Sequence, residues 1–240
     1  MNKIFKIYTA LHSAYGPQGW WPLSGNPRTS RCEKGKAKHT PKHHNGKPLN
    51  DDDRFEIMLG AILTQNTAWV NVEKALTELN RNGLGKHSKL ITAKKNRIAA
   101  LIRSAGYYNQ KAERLLIISE FVKTHTIKNL IAMDDDKLRE LLLGVKGIGP
   151  ETADSIALYA LGKPLFVVDA YTKRIFSRIG LCKRNIEYHT LQKLFMEKMK
   201  KDADTYQEYH ALIVELAKKH CKTKPVCEGC PIRKLCLRKI

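Results

Sequence analysis

Two glycines in the second half of the chain, Gly147 and Gly149, precede an alanine-rich helical pattern. Glycine permits a tight turn and a close approach of the backbone to a ligand. A helix entered through such a turn presents unpaired N–H groups at the positive end of its dipole, which suits a phosphate. Further along, Asp169 follows the apolar run Leu165–Val168 and precedes another helical pattern, a position that favours its ionised form. We therefore expect a phosphate-binding turn and a charged carboxylate.

The segment ahead of the glycines predicts a helix from Asp136 to Leu143, with an acidic start and a stop at Gly144. With the helix after the turn, it forms a helix-hairpin-helix. The pattern Leu-x-Gly-Val-x-Gly-Ile-Gly-x-x-Thr-Ala, followed by Val-Val-Asp, resembles the endonuclease III superfamily of DNA glycosylases. A glycine turn or an N-capping aspartate has an ordinary explanation when it stands alone. Both together at this spacing favour the family.

The resemblance assigns roles to residues of this segment. It implies contacts with the DNA backbone at Gly147, Gly149 and Thr152. Asp169 would stabilise the positive charge that develops on the sugar of a flipped-out nucleotide, and would orient water. In bifunctional members, a lysine two residues after the second hairpin glycine attacks the sugar, and here that position is Glu151. The resemblance thus implies a monofunctional glycosylase, unless another lysine takes that role.

Two further segments resemble parts of these enzymes that enter DNA. Leu-Thr-Gln-Asn-Thr resembles the segment whose glutamine fills the gap left by the flipped base, which is Gln65 here. Ala-Gly-Tyr-Tyr-Asn resembles the loop whose apolar residue wedges between bases, which is Tyr107 here. Polar helix ends and surface tyrosines are also common without such a function, so both interpretations remain open.

Within the superfamily, the Trp-Trp-Pro and Phe-Glu-x-x-Leu-Gly-Ala-Ile-Leu-Thr-Gln-Asn-Thr segments most resemble the 3-methyladenine DNA glycosylase branch. An N3- or N7-methylated purine is already cationic and leaves easily, so stacking matters more than a strong acid. Such an aromatic pocket could be formed by Trp20, Trp21, Pro22 and Phe55, although all four could equally be core residues. The expected substrate is 3-methyladenine, with 7-methylguanine as a further candidate.

Three other functions remain to be weighed. Another base-excision specificity would act on uracil or mismatched thymine, on oxidised pyrimidines, or on adenine opposite oxidised guanine. A non-catalytic DNA-binding protein would use the same hairpin to recognise damage and would be indifferent to loss of Asp169. A ribosomal or RNA-binding protein would explain the charge but not the pairing of hairpin and aspartate.

Cysteines cluster near the C-terminus with the spacing C-x5-C-x2-C-x5-C, at Cys221, Cys227, Cys230 and Cys236. Four thiolates on so compact a loop can surround a [4Fe–4S] cluster or one zinc ion. One close pair flanked by single cysteines favours the cluster, and the endonuclease III family carries a C-terminal cluster loop of nearly this form, with one more residue in its first gap. The Lys- and Arg-rich loop is expected to contact phosphates. Cys32 and Cys182 have no partner spacing and are expected to be isolated reduced thiols.

The formal net charge is +20, from 43 Lys and Arg against 23 Asp and Glu, which favours a polyanionic partner such as double-stranded DNA carrying damaged bases. No apolar stretch approaches the roughly 18 residues of a membrane span, and the N-terminus lacks a secretory signal pattern. We therefore expect an intracellular, cytoplasmic protein associated with the nucleoid, with no membrane partner and a monomeric state.

Helical periodicity dominates the chain and no strand alternation competes with it, so the sequence predicts an all-α fold. An amphipathic helix is expected at 3–14, and a capping pair at Asp53 and Glu56 ahead of a buried helix. Further helical patterns lie at 68–80, 88–103, 109–124, 136–143, 151–161, 170–179, 187–200 and 204–219. The resemblance implies a two-lobed helix-hairpin-helix glycosylase fold. A six-helix barrel would occupy 54–163, residues 1–53 and 164–240 would form the cluster-bearing lobe, and the target base would enter between them. Residues 23–50 are expected to form a mobile basic loop.

Overall fold

The computed structural model describes residues 2–23 and 49–238. Almost all of the predicted basic loop 23–50, including Cys32, lies outside these residues. Within the described ranges the regular secondary structure is entirely helical, which confirms the predicted all-α class. The α-helices are α1 (Lys3–Tyr15), α2 (Asp51–Leu63), α3 (Trp69–Arg81), α4 (His87–Leu90), α5 (Lys95–Leu101), α6 (Tyr108–His125), α7 (Ile127–Ala132), α8 (Asp135–Leu143), α9 (Pro150–Ser155), α10 (Ala170–Ile179), α11 (Tyr188–Lys198) and α12 (Ala203–Lys219). In these ranges every helix is too short or too polar to cross a bilayer.

Contacts between residues divide the chain into two units. Unit 1 comprises Met1–Trp20 and Pro164–Ile240, and unit 2 comprises Trp21–Lys163. Unit 1 therefore carries α1 and α10 to α12, and unit 2 carries α2 to α9. The lobes expected from the sequence divide the chain after residues 53 and 163, whereas the contacts divide it after Trp20 and Lys163.

Unit 2 is built around α2, whose residues from Phe55 to Leu63 are all buried. The helix begins in a capping box: the Asn50 side chain accepts from the Asp53 N–H at 2.9 Å, and the Asp53 carboxylate accepts from the Asn50 N–H at 3.1 Å. The predicted cap pair of Asp53 and Glu56 is thus one turn too late. Asn50 is as good a cap as aspartate, so the helix starts where both ends of the box are satisfied.

The predicted helix 88–103 is wrong as one element, because the structure breaks it into α4, α5 and a 3₁₀ turn at Arg103–Ala105. The Thr92 hydroxyl, in the break, donates to the Lys89 carbonyl at 3.2 Å, a local bond that competes with helical pairing. The short α7 was also missed. Its N-cap is Thr126, whose side chain accepts from the Asn129 N–H at 3.3 Å.

Unit 1 has an aromatic core. Phe166 stacks on Phe195 with ring centroids 3.9 Å apart, and Phe176 meets Phe195 edge-on at 4.6 Å. Tyr209 packs edge-on against Phe195, and its hydroxyl donates to the Ile4 carbonyl of α1 at 2.8 Å. Because the Phe166 ring is fully buried in this cluster, the extended segment that leads to Asp169 is anchored in the core.

Candidate functional site

The hairpin between α8 and α9 needs glycine at Gly147 for two reasons. Its φ is +86°, in the region that non-glycine residues rarely adopt, and an added Cβ would lie 2.5 Å from Nε of Arg114. Gly149 differs, because its φ of −96° is open to any residue and nothing lies within 4 Å of an added Cβ. Pro150 then occupies the first turn of α9, where a missing N–H costs nothing. The space beside Gly149 is therefore open to an approaching ligand.

A largely buried ion pair ties the two hairpin helices together. Arg139 of α8 donates from Nε to Oδ1 of Asp154 in α9 at 2.7 Å, and from Nη2 to Oδ2 at 3.3 Å. The Asp154 side chain has no exposed surface and that of Arg139 is 17% exposed. Removing one partner of such a pair leaves an uncompensated buried charge, so the pair links α8 to α9.

Gln65, just after α2, makes three contacts within unit 2. Its Nε2 donates to the Gly147 carbonyl and to Oγ1 of Thr152, each at 3.0 Å. Its Oε1 accepts from Nη1 of Arg114. The structure thus brings together three residues predicted to bind DNA, namely Gln65, Gly147 and Thr152. Insertion of Gln65 into DNA would first require these bonds to break.

Tyr107 is presented on the surface of unit 2. Its backbone is left-handed, with φ 45° and ψ 33°, and it forms the N-cap of α6 directly after Gly106. The side chain is 69% exposed. A bulky residue in this conformation costs free energy, and such residues occur where the surrounding structure fixes them for a function. A large exposed ring on a fixed turn has the form that the predicted wedge requires.

Asp169 is the N-cap of α10 in unit 1, so the helix starts where the sequence predicted. Its Oδ1 accepts from both the backbone N–H and the hydroxyl of Thr172, each at 2.7 Å. The side chain of Asp169 is 13% exposed. The three preceding residues, Phe166 to Val168, are fully buried, and the Gln192 side chain donates to the Phe166 carbonyl at 2.8 Å. The carboxylate is therefore held on a rigid segment.

His210 of α12 is the second titratable group at this carboxylate, with Nε2 3.7 Å from Oδ2 of Asp169. Burial acts to raise the pKa of Asp169, but the His210 ring and the two donors of Thr172 outweigh it, and the net pKa is lowered. Asp169 is therefore ionised at neutral pH. It can stabilise a neighbouring positive charge, and it holds no proton to give to a leaving group.

The four C-terminal cysteines line one cavity of unit 1, together with apolar side chains that include Ile175, Ile179 and Leu216. Arg178 donates to Sγ of Cys221 at 3.4 Å, which would offset thiolate charge. Among the described residues, no group of three or more His, Cys, Asp or Glu side chains is arranged to hold a single metal ion. Four thiolates at one cavity are a donor set that suits a [4Fe–4S] cluster or a zinc ion. Among the described residues, Cys182 is a half-buried free thiol.

Comparison with known proteins places these features in one family. The model of the HhH-GPD superfamily base excision DNA repair proteins matches residues 59–201. Over 240 residues, the chain is 40% identical to a candidate DNA repair glycosylase of Methanocaldococcus jannaschii, covering 98% of this chain and 96% of that protein. It is 30% identical over 207 residues to endonuclease III of Thermotoga maritima, covering 83% and 88%.

The chain belongs to the HhH-GPD superfamily of base excision repair DNA glycosylases.

A solved structure supports the same assignment. The 3-methyladenine DNA glycosylase of Helicobacter pylori, bound to 1,N6-ethenoadenine, superposes with a TM-score of 0.66 at 27% identity, covering 91% of this chain and 98% of that one. The predicted helix-hairpin-helix glycosylase fold is thereby confirmed. DNA is the ligand of this class of protein, in agreement with the charge of the chain.

The predicted base-pocket residues of this glycosylase fall in both units. Trp20 is half-buried in unit 1, with the Lys218 ammonium 5.8 Å from its ring centroid. In unit 2, Trp21 and Pro22 are buried, and Phe55 is fully buried with its ring edge-on to His87 at 5.2 Å. A fully buried ring stacks on a base only if it moves, so the burial of Phe55 favours a packing role. The pocket stays a prediction.

The structure also places residues that the sequence analysis did not identify beside Trp21, Asp169 and Gln65. Trp21 packs edge-on against Trp69 and Tyr159, each at 5.3 Å, and an added Cβ on Gly60 would lie 2.9 Å from the Trp21 ring. His210 and Arg114 were missed because each approaches its partner from a distant helix. Of these residues, Trp69 alone could have been suspected from the sequence, because it is aromatic and follows the Gln65 segment closely.

Proposed function

We propose that this glycosylase removes alkylated purines, 3-methyladenine and also 7-methylguanine, from double-stranded DNA by hydrolysing the N-glycosidic bond. The observation that carries the proposal is the state of Asp169. Its pKa is lowered and its carboxylate is fixed by Thr172 beside His210. A base that already carries a positive charge needs no proton from the enzyme before it leaves.

The chemistry assigned to Asp169 is electrostatic. As the bond to a cationic purine breaks, positive charge develops on the sugar, and a preorganised carboxylate in a poorly solvated place stabilises it. The same carboxylate would orient the attacking water. A carboxylate that holds no proton cannot protonate a neutral leaving group such as uracil or thymine, so the observation favours alkylpurines over these alternatives.

The reaction is proposed to stop at an abasic site. At the position where bifunctional members carry the attacking lysine, the chain has Glu151, which is exposed in the first turn of α9. A carboxylate cannot form a Schiff base with the sugar. Borohydride should therefore trap no covalent complex between the protein and DNA carrying an abasic site. A trapped complex would contradict the monofunctional proposal.

DNA recognition is assigned to unit 2. The backbone around Gly147, Gly149 and Thr152 would bind phosphate, Tyr107 would wedge between bases, and Gln65 would fill the gap opposite the flipped nucleotide. The exposure of Tyr107 and the open space beside Gly149 support these roles. The H. pylori relative supports the choice of substrate, since it is a 3-methyladenine glycosylase bound to a modified adenine.

A [4Fe–4S] cluster is the proposed cofactor, held by Cys221, Cys227, Cys230 and Cys236. When bound, it would supply a structural cross-link for the C-terminal loop. The shared cavity of the four cysteines and the Arg178 donor at Cys221 support a thiolate-bound group, and the spacing of one close pair flanked by single cysteines favours the cluster over zinc. Purified protein should be brown, absorb near 400 nm and contain iron. Colourless protein that contains only zinc would overturn this assignment.

The decisive experiment measures base release from duplex DNA treated with a methylating agent, with the liberated purines separated by chromatography. We expect 3-methyladenine, and more slowly 7-methylguanine, to be released by the wild type and not by Asp169→Asn. Duplexes with a single uracil, mismatched thymine or oxidised pyrimidine are assayed in parallel. Release from one of these and none from alkylated DNA would reassign the substrate. DNA binding without any release would favour a non-catalytic damage-binding protein.

A further inference from the structure

Lys111, in the first turn of α6, is buried in unit 2. Only 1% of its surface is exposed, although lysine is among the residues least often buried. An ammonium group taken out of water costs free energy unless it is fully hydrogen-bonded. The position therefore requires either a compensating set of acceptors or a neutral amine.

The acceptors are present, and they come from two separate segments. Nζ of Lys111 donates to the Leu63 carbonyl at 2.8 Å, to Oγ1 of Thr67 at 2.6 Å, and to the Ala105 carbonyl at 2.7 Å. The Thr67 hydroxyl donates in turn to the Ala105 carbonyl. One ammonium thus joins the end of α2 to the 3₁₀ turn ahead of α6.

These two segments carry the residues proposed to enter DNA. Leu63 and Thr67 flank Gln65, and Ala105 lies two residues before Tyr107. The backbone N–H of Lys111 also donates to the Tyr107 carbonyl at 3.0 Å, which forms the first bond of α6. The same residue therefore contacts the wedge turn through its backbone and the gap-filling segment through its side chain.

We propose that Lys111 is a positioning residue that holds the Gln65 segment and the Tyr107 turn as one rigid DNA-reading element. This inference rests on the DNA-reading roles proposed above for Gln65 and Tyr107. A wedge separates stacked bases only if its own turn does not yield, and the left-handed backbone of Tyr107 must be held against its own strain. The buried cross-link supplies that rigidity, since both segments share one donor.

The protonation state agrees with this role. Burial, together with the neighbouring Arg114 cation, lowers the pKa of Lys111 to about 8. At neutral pH the side chain is therefore mostly the ammonium, whose three N–H donors equal the three acceptors around it. A core position that only needed filling would be served by an apolar side chain.

The test compares Lys111→Met with Lys123→Met, a matched change on the same helix at a side chain that is 65% exposed. Dissociation constants are measured at fixed salt for an undamaged duplex and for a duplex with a tetrahydrofuran abasic-site analogue. We expect Lys111→Met to lower the preference for the abasic duplex about tenfold, because the reading element loses its charged hydrogen bonds. Binding of the undamaged duplex should stay within about twofold of the wild type, since phosphate contacts dominate it. The control should change neither constant.

A double-mutant cycle separates positioning from mere stability. In a Tyr107→Ala background, Lys111→Met should lower the preference less than about twofold further, because the wedge it positions is gone. Equal losses in both backgrounds, or an unchanged preference in folded Lys111→Met, would overturn the inference. If Lys111→Met does not fold, Thr67→Val removes one acceptor and takes its place in the cycle. Its expected loss of preference is about threefold, for a single bond.

The preference for the abasic duplex also tells a failure of this inference from a failure of the proposed substrate assignment. Discrimination of an abasic analogue needs no base release, so failure to release alkylpurines would leave the positioning test intact. A wild type that does not prefer the abasic duplex would overturn the positioning role and leave the base-release assay to decide the substrate.

Discussion

The helices α9 and α10 begin with almost the same backbone and different chemistry. Gly149 caps α9 with φ −96° and ψ 179°, and Asp169 caps α10 with φ −94° and ψ 179°. The Asp169 side chain accepts from the N–H of Thr172 in its own helix, whereas Gly149 has no side chain to offer. The start of α10 therefore uses its donors to hold its own carboxylate, whereas the start of α9 has no side-chain cap.

Together with the phosphate-binding role proposed for Gly149, the comparison gives helix N-termini two uses in this protein. The partial positive charge of a helix N-terminus attracts an anion, whether that anion is a DNA phosphate or a protein side chain. In the proposed role, Gly149 leaves that place open for a phosphate, whereas the Asp169 side chain fills it with a fixed negative charge. Exchanging the chemistry of the two caps is the most direct way to test this account.

The largest effect is expected from Asp169→Asn. Asparagine caps a helix as well as aspartate does, so the free energy of unfolding should change by less than about 1 kcal/mol. Loss of the charge should lower the single-turnover rate of base release about 10²- to 10³-fold, as for other preorganised electrostatic groups. Rates on methylated duplex and thermal unfolding are measured on the same preparations. A folded variant with the wild-type rate would show that the charge at the α10 start is not catalytic.

Next in size is the reverse change, Gly149→Asp. The backbone and the space beside Gly149 accept a side chain, so the variant should fold. Its carboxylate would cap α9 from within and should weaken binding to undamaged duplex about tenfold. Fluorescence anisotropy at several salt concentrations measures the loss. The matched variant Gly149→Asn tells capping from charge repulsion, since only capping is available to it, and unchanged binding by both would remove α9 as a phosphate site.

A smaller effect is expected from Thr172→Val. The side chain of Thr172 is fully buried, and its hydroxyl is one of two Thr172 donors to Asp169. The isosteric change removes the hydroxyl and keeps the backbone N–H, at a cost of about 1 kcal/mol. The base-release rate should fall about fivefold, measured in single-turnover conditions. A loss as large as that of Asp169→Asn would mean that the hydroxyl, and not the helix terminus, holds the carboxylate.

The smallest expected effect is a pH dependence. The pKa of folded Asp169 is lowered, so its charge stabilises the fold above the unfolded pKa of about 3.9 and this contribution is lost as the pH falls through the folded value. The melting temperatures of the wild type and Asp169→Asn should therefore converge below about pH 4. The rate should also not fall through protonation of Asp169 between pH 5 and 8. Convergence already near pH 6 would place the pKa above its ordinary value and make Asp169 an acid.

The local sequence pattern predicted some helix boundaries of this fold correctly and missed others. The helix start at Asp169, the acidic start of α8 and the glycines of the hairpin were all predicted, because each follows from backbone hydrogen bonds and φ preferences within a few residues. The single helix 88–103 was wrong, since periodicity continued through a break that the Thr92 hydroxyl helps to form. The start of α2 was set one turn late, at Asp53 in place of Asn50.

The sequence alone determined the helical class, the hairpin, the position of Asp169 and the cysteine spacing, because spacing along one chain segment carries this information. Tertiary structure decided which side chains meet. His210 of α12 lies beside Asp169, and Arg114 of α6 donates to Gln65. Lys111 joins two segments whose proximity no sequence periodicity predicts. Such partners are selected by burial, where an unpaired charge or donor is costly, and burial exists only once distant helices have packed.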